Sequence, residues 1–345
     1  MKKTIRIVCI LLLTTMFSLE LIAENNTTSS SGGGFEKVGA AGSQFLKIGI
    51  GARATGMAGA YGAVANDLTA LFWNPAGIAD LKAMAGNFSY TKWFADFNHS
   101  FASVSMPIGE QFTAAASFVS FGCDKIDRTT LENPEGTGTY YSVSDFSLGL
   151  SIGGYLTDQF SFGITGKYLS NSFADLNATG FAFDIGTMYQ TGIQGIKLGF
   201  SIHNLGTEMQ YRGVDLNTTK KLIDALNISP LDAQYLTNSY SIPLTFRAGV
   251  TSDVYTSEEH NVMAAADFVT LSDTPEQFAF GAEYSFKKLI SFRAGYRLGQ
   301  DQTGFAAGIG ISYLGGGFGG NVDYSITPTK DLGLINRISL NLDLK

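Results

Sequence analysis

Residues 160–169 read FSFGITGKYL. Phe160, Phe162, Ile164 and Tyr168, with Gly166 among them, share one parity, and Ser161, Gly163, Thr165 and Lys167 share the other. In an extended chain successive side chains point to opposite faces, so this stretch predicts a strand with one apolar face and one small, polar face. Four further stretches repeat the pattern. GFAFDIGTMY (180–189) sets Phe181, Phe183 and Ile185 against Ala182, Asp184 and Gly186, and FAFGAEYSF (278–286) sets Phe278, Phe280, Tyr284 and Phe286 against Gly281, Glu283 and Ser285. ISFRAGYRLG (290–299) opposes Phe292, Tyr296 and Leu298 to Ser291, Arg293, Gly295 and Arg297. RISLNLDLK (337–345) opposes Ile338, Leu340, Leu342 and Leu344 to Arg337, Ser339, Asn341 and Asp343.

Outward from these stretches, alternation begins after Ala83 and recurs in about fourteen segments of roughly 9 to 12 residues, starting near 84, 98, 111, 143, 159, 178, 196, 242, 259, 276, 289, 303, 318 and 335. That length lets a tilted strand cross a bilayer. Connections are long after odd strands (123–141, 171–177, 204–241, 327–334) and mostly brief after even ones (GEQ from 109, TD from 157, KK from 287, GGG from 315). Long outer loops, short periplasmic turns, an even strand number and both chain ends on the periplasmic side are the features of a bacterial outer-membrane barrel. Within lipid only such a closed barrel satisfies every strand hydrogen bond. The predicted fold is therefore all-β, a 14-stranded antiparallel transmembrane β-barrel over 83–345. A soluble exported β-sandwich also alternates, but it would bury the Phe face and present a Gly/Ser face with few charges to water.

Composition agrees with a membrane setting: 15% of the residues are charged, against roughly 25% in an average soluble domain. MKKTIR, an apolar run over 7–19 and the small Ala23 predict a secretory signal peptide over 1–23. Its apolar run is too short for a membrane-spanning helix. NNTTSSSGGG (25–34) reads as a flexible tether, assigned to 24–34. Without the leader only Cys123 remains, so no internal disulfide is expected. The same removal leaves about 20 basic and 29 acidic residues, a net charge of about −9, which argues against nucleic acid as a partner.

Between 35 and 82 the period of two is absent. GARATGMAGAYGAV (51–64) and NDLTALFWNPAGIADL (66–81) predict compact turns and a short helix, with small residues that let backbones approach closely. The stretch GSQFLKIGIGARATGMAGAYGAVANDLTALFWNPAGIADL (42–81) resembles the N-terminal signature of the PorV/PorQ family, relatives of the FadL-type outer-membrane barrels. SIHNLG (201–206) and VDYSITPTKDLGLINRISL (322–340) are similar to later segments of that family, so the resemblance runs from about 35 to the C-terminus.

The resemblance implies a fourteen-stranded barrel whose segment 35–82 folds inward as a hatch, with Gly56 among its motif residues. Asn74 and Pro75 would make a rigid turn. Gly77 would permit a close approach to the wall, and Phe72 and Trp73 would wedge the plug in place. A Gly-rich lumen face (Gly163, Gly186, Gly281, Gly295, Gly308, Gly310) leaves room for it. An ordinary helix-ending turn in a periplasmic cap would use the same NPAG residues. Arg53 and Asp67 either pair inside the plug and anchor it to lumen charges such as Glu283, Arg293 or Arg297, or face periplasmic solvent or a partner.

Signals for catalysis are weak. His99, His203 and His260 form no metal-ligand spacing, and Gly49, Gly51 and Gly56 complete no dinucleotide fingerprint. GITGK (163–167) lacks the first P-loop glycine, and no nucleophile elbow is present. A non-enzyme without metal or cofactor is expected. KKLIDAL (220–226) and residues 231–236 read as short helices in the longest outer loop, which could cover the pore or hold a partner.

The resemblance implies two competing roles for a barrel set in outer-membrane lipid. PorV-type members act in type IX secretion, where the barrel binds the translocon and passes cargo bearing C-terminal signal domains to attachment-complex subunits. FadL-type relatives instead pass hydrophobic small molecules through the wall after the hatch shifts. That route needs an apolar pocket behind the plug and a lateral gap, which a Pro or a bulge could create. IPLTF from 242 puts Pro243 at a strand start.

Overall fold

The computed structural model describes residues 41–220, 229, 231–315 and 318–344. The expected signal peptide (1–23), the tether (24–34) and residues 35–40 of the expected hatch lie outside the described residues, as does 221–226 of the helix expected at 220–226.

Strands form where the alternation is. They are β1 (Met84–Lys92), β2 (Asn98–Ile108), β3 (Phe112–Asp127), β4 (Tyr140–Thr157), β5 (Phe160–Phe173), β6 (Leu176–Gln190) and β7 (Lys197–Gly206), followed by β8 (Thr245–Thr256), β9 (His260–Leu271), β10 (Thr274–Phe286), β11 (Ile290–Leu298), β12 (Phe305–Gly315), β13 (Phe318–Pro328) and β14 (Leu334–Leu344). Each pairs antiparallel with the next, and β14 returns to β1 in a register from Met84↔Leu344 to Lys92↔Asn336. The result is a closed 14-stranded antiparallel barrel with no free edge. Its faces are inverted relative to a soluble protein. In β14, Arg337, Ser339 and Asn341 are buried, whereas Ile338, Leu340 and Leu342 are exposed, and in β5 Ser161 and Thr165 are buried while Ile164 is exposed. A sandwich would bury the aromatic set; this wall presents it outward, as lipid requires.

Two expectations are corrected. Strands at one side are longer than 9 to 12 residues: β4 has 18 and β3 has 16. Residues near the expected loop 171–177 pair as Phe173↔Leu176, leaving a tight turn at Ala174 (φ 53) and Asp175. Aromatic cross-strand contacts such as Tyr141 with Phe173 (5.5 Å) stabilise this extension of the ladder. Secondly, Leu231–Gln234 is not helical but pairs with Asn217–Lys220. So short a helix is marginal by itself, whereas β-branched Thr218 and Thr219 favour a strand. Of the two chain ends expected on the periplasmic side, the N-terminal one lies outside the described residues. Met84 and Leu344 meet at the short-turn rim, but Ala41 bridges to Ser241 in the long β7–β8 connection. Phe45, Leu46 and Ile48 pack there with Leu169, Met209 and Ile242. The chain therefore crosses the lumen from the long-loop side before entering β1.

Candidate functional site

The crossing segment contains a 3₁₀ turn (Gln44–Lys47), α1 (Ala52–Gly56), α2 (Ala70–Trp73) and a second 3₁₀ turn (Pro75–Asp80). It winds around the inside of the wall at the height of a belt of glycines. Gly153, Gly163 and Gly186 stand directly opposite one another across β4, β5 and β6. A Cβ on Gly163 would lie 2.2 Å from the Pro75 carbonyl oxygen, and one on Gly186 would lie 2.1 Å from Asn74 Oδ1. Farther round, Gly199 meets Gly62, Gly281 and Gly295 meet Met57, and Gly308 meets Gly56. Gly310 instead accommodates the Asp323 and Arg293 side chains. Gly77 also departs from expectation: its added Cβ would strike the Ala65 carbonyl oxygen at 2.1 Å, so it serves packing within the segment and not approach to the wall.

The NPAG turn is held by side-chain chemistry. Asn74 is extended and fully buried; its amide nitrogen donates to the Gly62 (2.8 Å) and Thr187 (3.1 Å) carbonyls, and its Oδ1 accepts from the Ala76 N–H. This caps a helical turn that begins with Pro75, where no N–H is needed. Trp73, also buried, donates from Nε1 to the Ile50 carbonyl (2.8 Å) and packs edge-on to Tyr61 and Phe72. Phe72 itself is only partly buried.

Charges connect segment to wall. Arg53 grips Glu283 with two 2.9 Å hydrogen bonds from Nε and one terminal nitrogen. Glu283 also accepts from Arg293 (2.5 Å), which reaches Asp323 (2.6 Å). Burial opposes the Arg53 charge, but Glu283, Tyr61 and Asp67 together more than offset it and raise the guanidinium above its ordinary value. Asp67 lies 3.6 Å from Arg53 and accepts from the Tyr61 hydroxyl and Thr69. Arg297 donates from Nε to the Ala58 carbonyl (2.8 Å).

Several residues were not singled out from the sequence. Asp267 accepts from the Tyr61 and Gly62 N–H groups and pairs with Arg247 (3.1 Å), whose guanidinium lies 4.7 Å above the Trp73 ring. Lys47 pairs with Asp273 (2.9 Å). In the wall, His203 and Asn204 bulge opposite Asp184. Asp184 pairs with Lys167 (2.5 Å) and His203 (3.1 Å) and accepts from the Asn204 N–H. Pro243 lies just before β8, and its carbonyl accepts from Asn204 Nδ2 (3.0 Å). Lys167, Asp184, His203, Arg247 and Asp267 sit on the inward parity of their strands, a signal present in the alternation itself, whereas Lys47 lies in a 3₁₀ turn and Asp273 between two strands. Among the described residues, no group of three or more His, Cys, Asp or Glu is placed to hold a metal ion.

Two cavities flank this segment. The larger, about 340 Å³, lies on the long-loop side and is lined by Phe45, Trp73, Trp93, Phe94, Phe121 and a set of polar groups that includes Arg297 and Arg337. The smaller, about 90 Å³, lies between Phe72, Trp73 and the bulge residues Lys167, His203 and Asn204. Both are bounded by Lys47, Trp73, Arg297 and Gln300.

The closed fourteen-stranded antiparallel barrel matches the fold of FadL-type outer-membrane barrels. The chain is similar to the CymD monoaromatic hydrocarbon channel (TM-score 0.56, 13% identity, 86% of this chain and 98% of that one). It is also similar to the toluene transporter TbuX of Ralstonia pickettii (TM-score 0.53, 12% identity, 86% and 99%). A FadL homologue of Pseudomonas aeruginosa gives a TM-score of 0.51 at 14% identity over 86% and 98% of the two chains. No family model and no curated protein sequence matches this chain.

Proposed function

We propose that this protein is an outer-membrane channel for hydrophobic small molecules, with 35–82 acting as its hatch and the residues before Glu24 as an export signal. The observation that carries the reading is the aromatic cavity over the lumen segment, joined through Trp73 and Arg297 to a second cavity at the wall bulge. A solute entering from the long-loop side would rest among Phe45, Trp93, Phe94 and Phe121. Movement of Phe72 and Trp73 would then open the way to the bulge, where Asp184 has no ladder partner in β7. Two of the solved structures named above, a monoaromatic hydrocarbon channel and a toluene transporter, support this chemistry for the fold. The test is permeation of radiolabelled toluene into proteoliposomes. Uptake above protein-free vesicles is expected, and uptake equal to them defeats the reading.

The secretion role implied by the PorV/PorQ resemblance rests mainly on residues 42–81, and these side chains are largely committed to the lumen. They argue for a plugged barrel more than for a partner surface. Cross-linked pull-down against a control barrel tests that role: absence of translocon subunits and signal-bearing cargo would reject it.

A further inference from the structure

The larger cavity carries a charge imbalance. Its lining includes Lys47, Arg297 and Arg337 and, among the described residues, no carboxylate. Lys47 is neutralised by Asp273. Arg297 and Arg337 have no ion-pair partner among the described residues. Arg297 spends its Nε on the Ala58 carbonyl. Among the described residues Arg337, 6% exposed, makes one hydrogen bond, to Thr327 Oγ1 (3.0 Å), and its Nε has no partner.

A guanidinium has five N–H donors in a planar fork matched to carboxylate geometry. Arg337 is buried and Arg297 half-buried, and holding two such groups without a counter-charge is costly unless an anion completes the site. By contrast, Arg53, Arg247 and Arg293 each have a carboxylate within 3.1 Å. Of these five arginines, the two without a carboxylate both line the cavity.

The remaining wall is aromatic. Trp73, Trp93, Phe94 and Phe121 line it, and the Arg337 guanidinium lies 5.9 Å from the Trp93 ring centroid. Rings favour edge and offset contacts with another ring over contacts with a flexible chain, which also loses more rotational freedom on binding. We infer that this cavity binds an aryl carboxylate, its carboxylate held by Arg337 and Arg297 and its ring packed among Trp73, Trp93, Phe94 and Phe121. The inference rests on the channel reading and specifies the solute class that channel takes.

Both tryptophans of the chain line the cavity, so intrinsic fluorescence of the full-length protein in detergent reports occupancy. The probes are benzoate, its neutral isostere toluene, and decanoate as an aliphatic acid. Benzoate is expected to shift the emission at roughly ten-fold or more lower concentration than either of the others. Arg337→Gln is expected to weaken benzoate roughly ten- to hundred-fold, the range for a lost charge-assisted bidentate contact, while Arg337→Lys recovers part of it. Toluene binding as tightly as benzoate overturns the charge assignment, and decanoate binding as tightly overturns the aromatic one. If Arg337→Gln does not fold, the solute ratios on the unaltered protein decide. Proteoliposome permeation separates the two proposals. Toluene passing without any benzoate preference defeats only the aryl-carboxylate site; benzoate bound with neither solute passing defeats only the channel.

Discussion

Trp73 shows how one side chain joins the lumen segment together. It fills the centre of the buried cluster with Tyr61, Leu68 and Leu71, donates to the Ile50 carbonyl and stacks beneath Arg247. Trp73→Ala removes packing and a donor at once and is expected to lower stability by about 3–5 kcal/mol. Trp73→Phe keeps most of the packing and is expected to lose about 1–2 kcal/mol, chiefly the Ile50 bond. Thermal unfolding of both variants in detergent checks the order. The Arg53 network makes a second residue-scale prediction. Glu283 separates two guanidiniums, so Glu283→Ala leaves Arg53 and Arg293 facing each other and is expected to cost about 3–5 kcal/mol. Arg53→Ala leaves Glu283 paired with Arg293 and is expected to cost less. A double variant no less stable than Glu283→Ala alone would confirm the coupling.

At the scale of elements, the glycine belt explains how a helical segment docks inside a sheet. A wall residue with any side chain would hold the segment off by the width of a methyl group. Gly163→Val drives Cβ into the Pro75 carbonyl and is expected to expose the segment to trypsin at Lys47, Arg53 or Lys82. Gly86→Ala, on the lipid face with nothing within 4 Å of the added carbon, is expected to leave the digestion pattern unchanged. Equal digestion of both variants would reject the belt as the docking surface. The β7 bulge makes the complementary case: Asp184 replaces the missing ladder contact with its side chain. Asp184→Ala is expected to speed amide exchange at Asn204 and its neighbours in β7 and β8, measured by hydrogen exchange.

For the whole molecule, closure between β1 and β14 makes the barrel a single cooperative unit with every long strand paired on both sides. Heating in detergent is therefore expected to shift its electrophoretic mobility. The intact protein is expected to be nearly silent in single-channel recordings, because its lumen is occupied at mid-height. Deletion of 41–82 is expected to leave a heat-modifiable barrel with stable conductance. A deleted barrel that folds and stays silent would show that the segment does not close the pore.

Strand number, wall polarity and the break in pattern before Met84 were legible in the sequence, because the period of two is a property of each strand alone. Phe160, Phe162 and Ile164 lie outward for the reason that made them readable. Extension of β3–β6 beyond the expected loops was not legible, since it depends on rings meeting across strands. Gly163 and Gly186 could be placed on the lumen face, but their alignment at one height follows from register between strands. Arg53 was identified as a candidate anchor, yet its choice of Glu283, 230 residues away, required the closed barrel to bring them together. The arginine pair in the aromatic cavity belongs wholly to tertiary structure. Arg297 and Arg337 read as two inward charges on separate strands, and only packing against Trp73, Trp93 and Phe121 leaves them together without an acid.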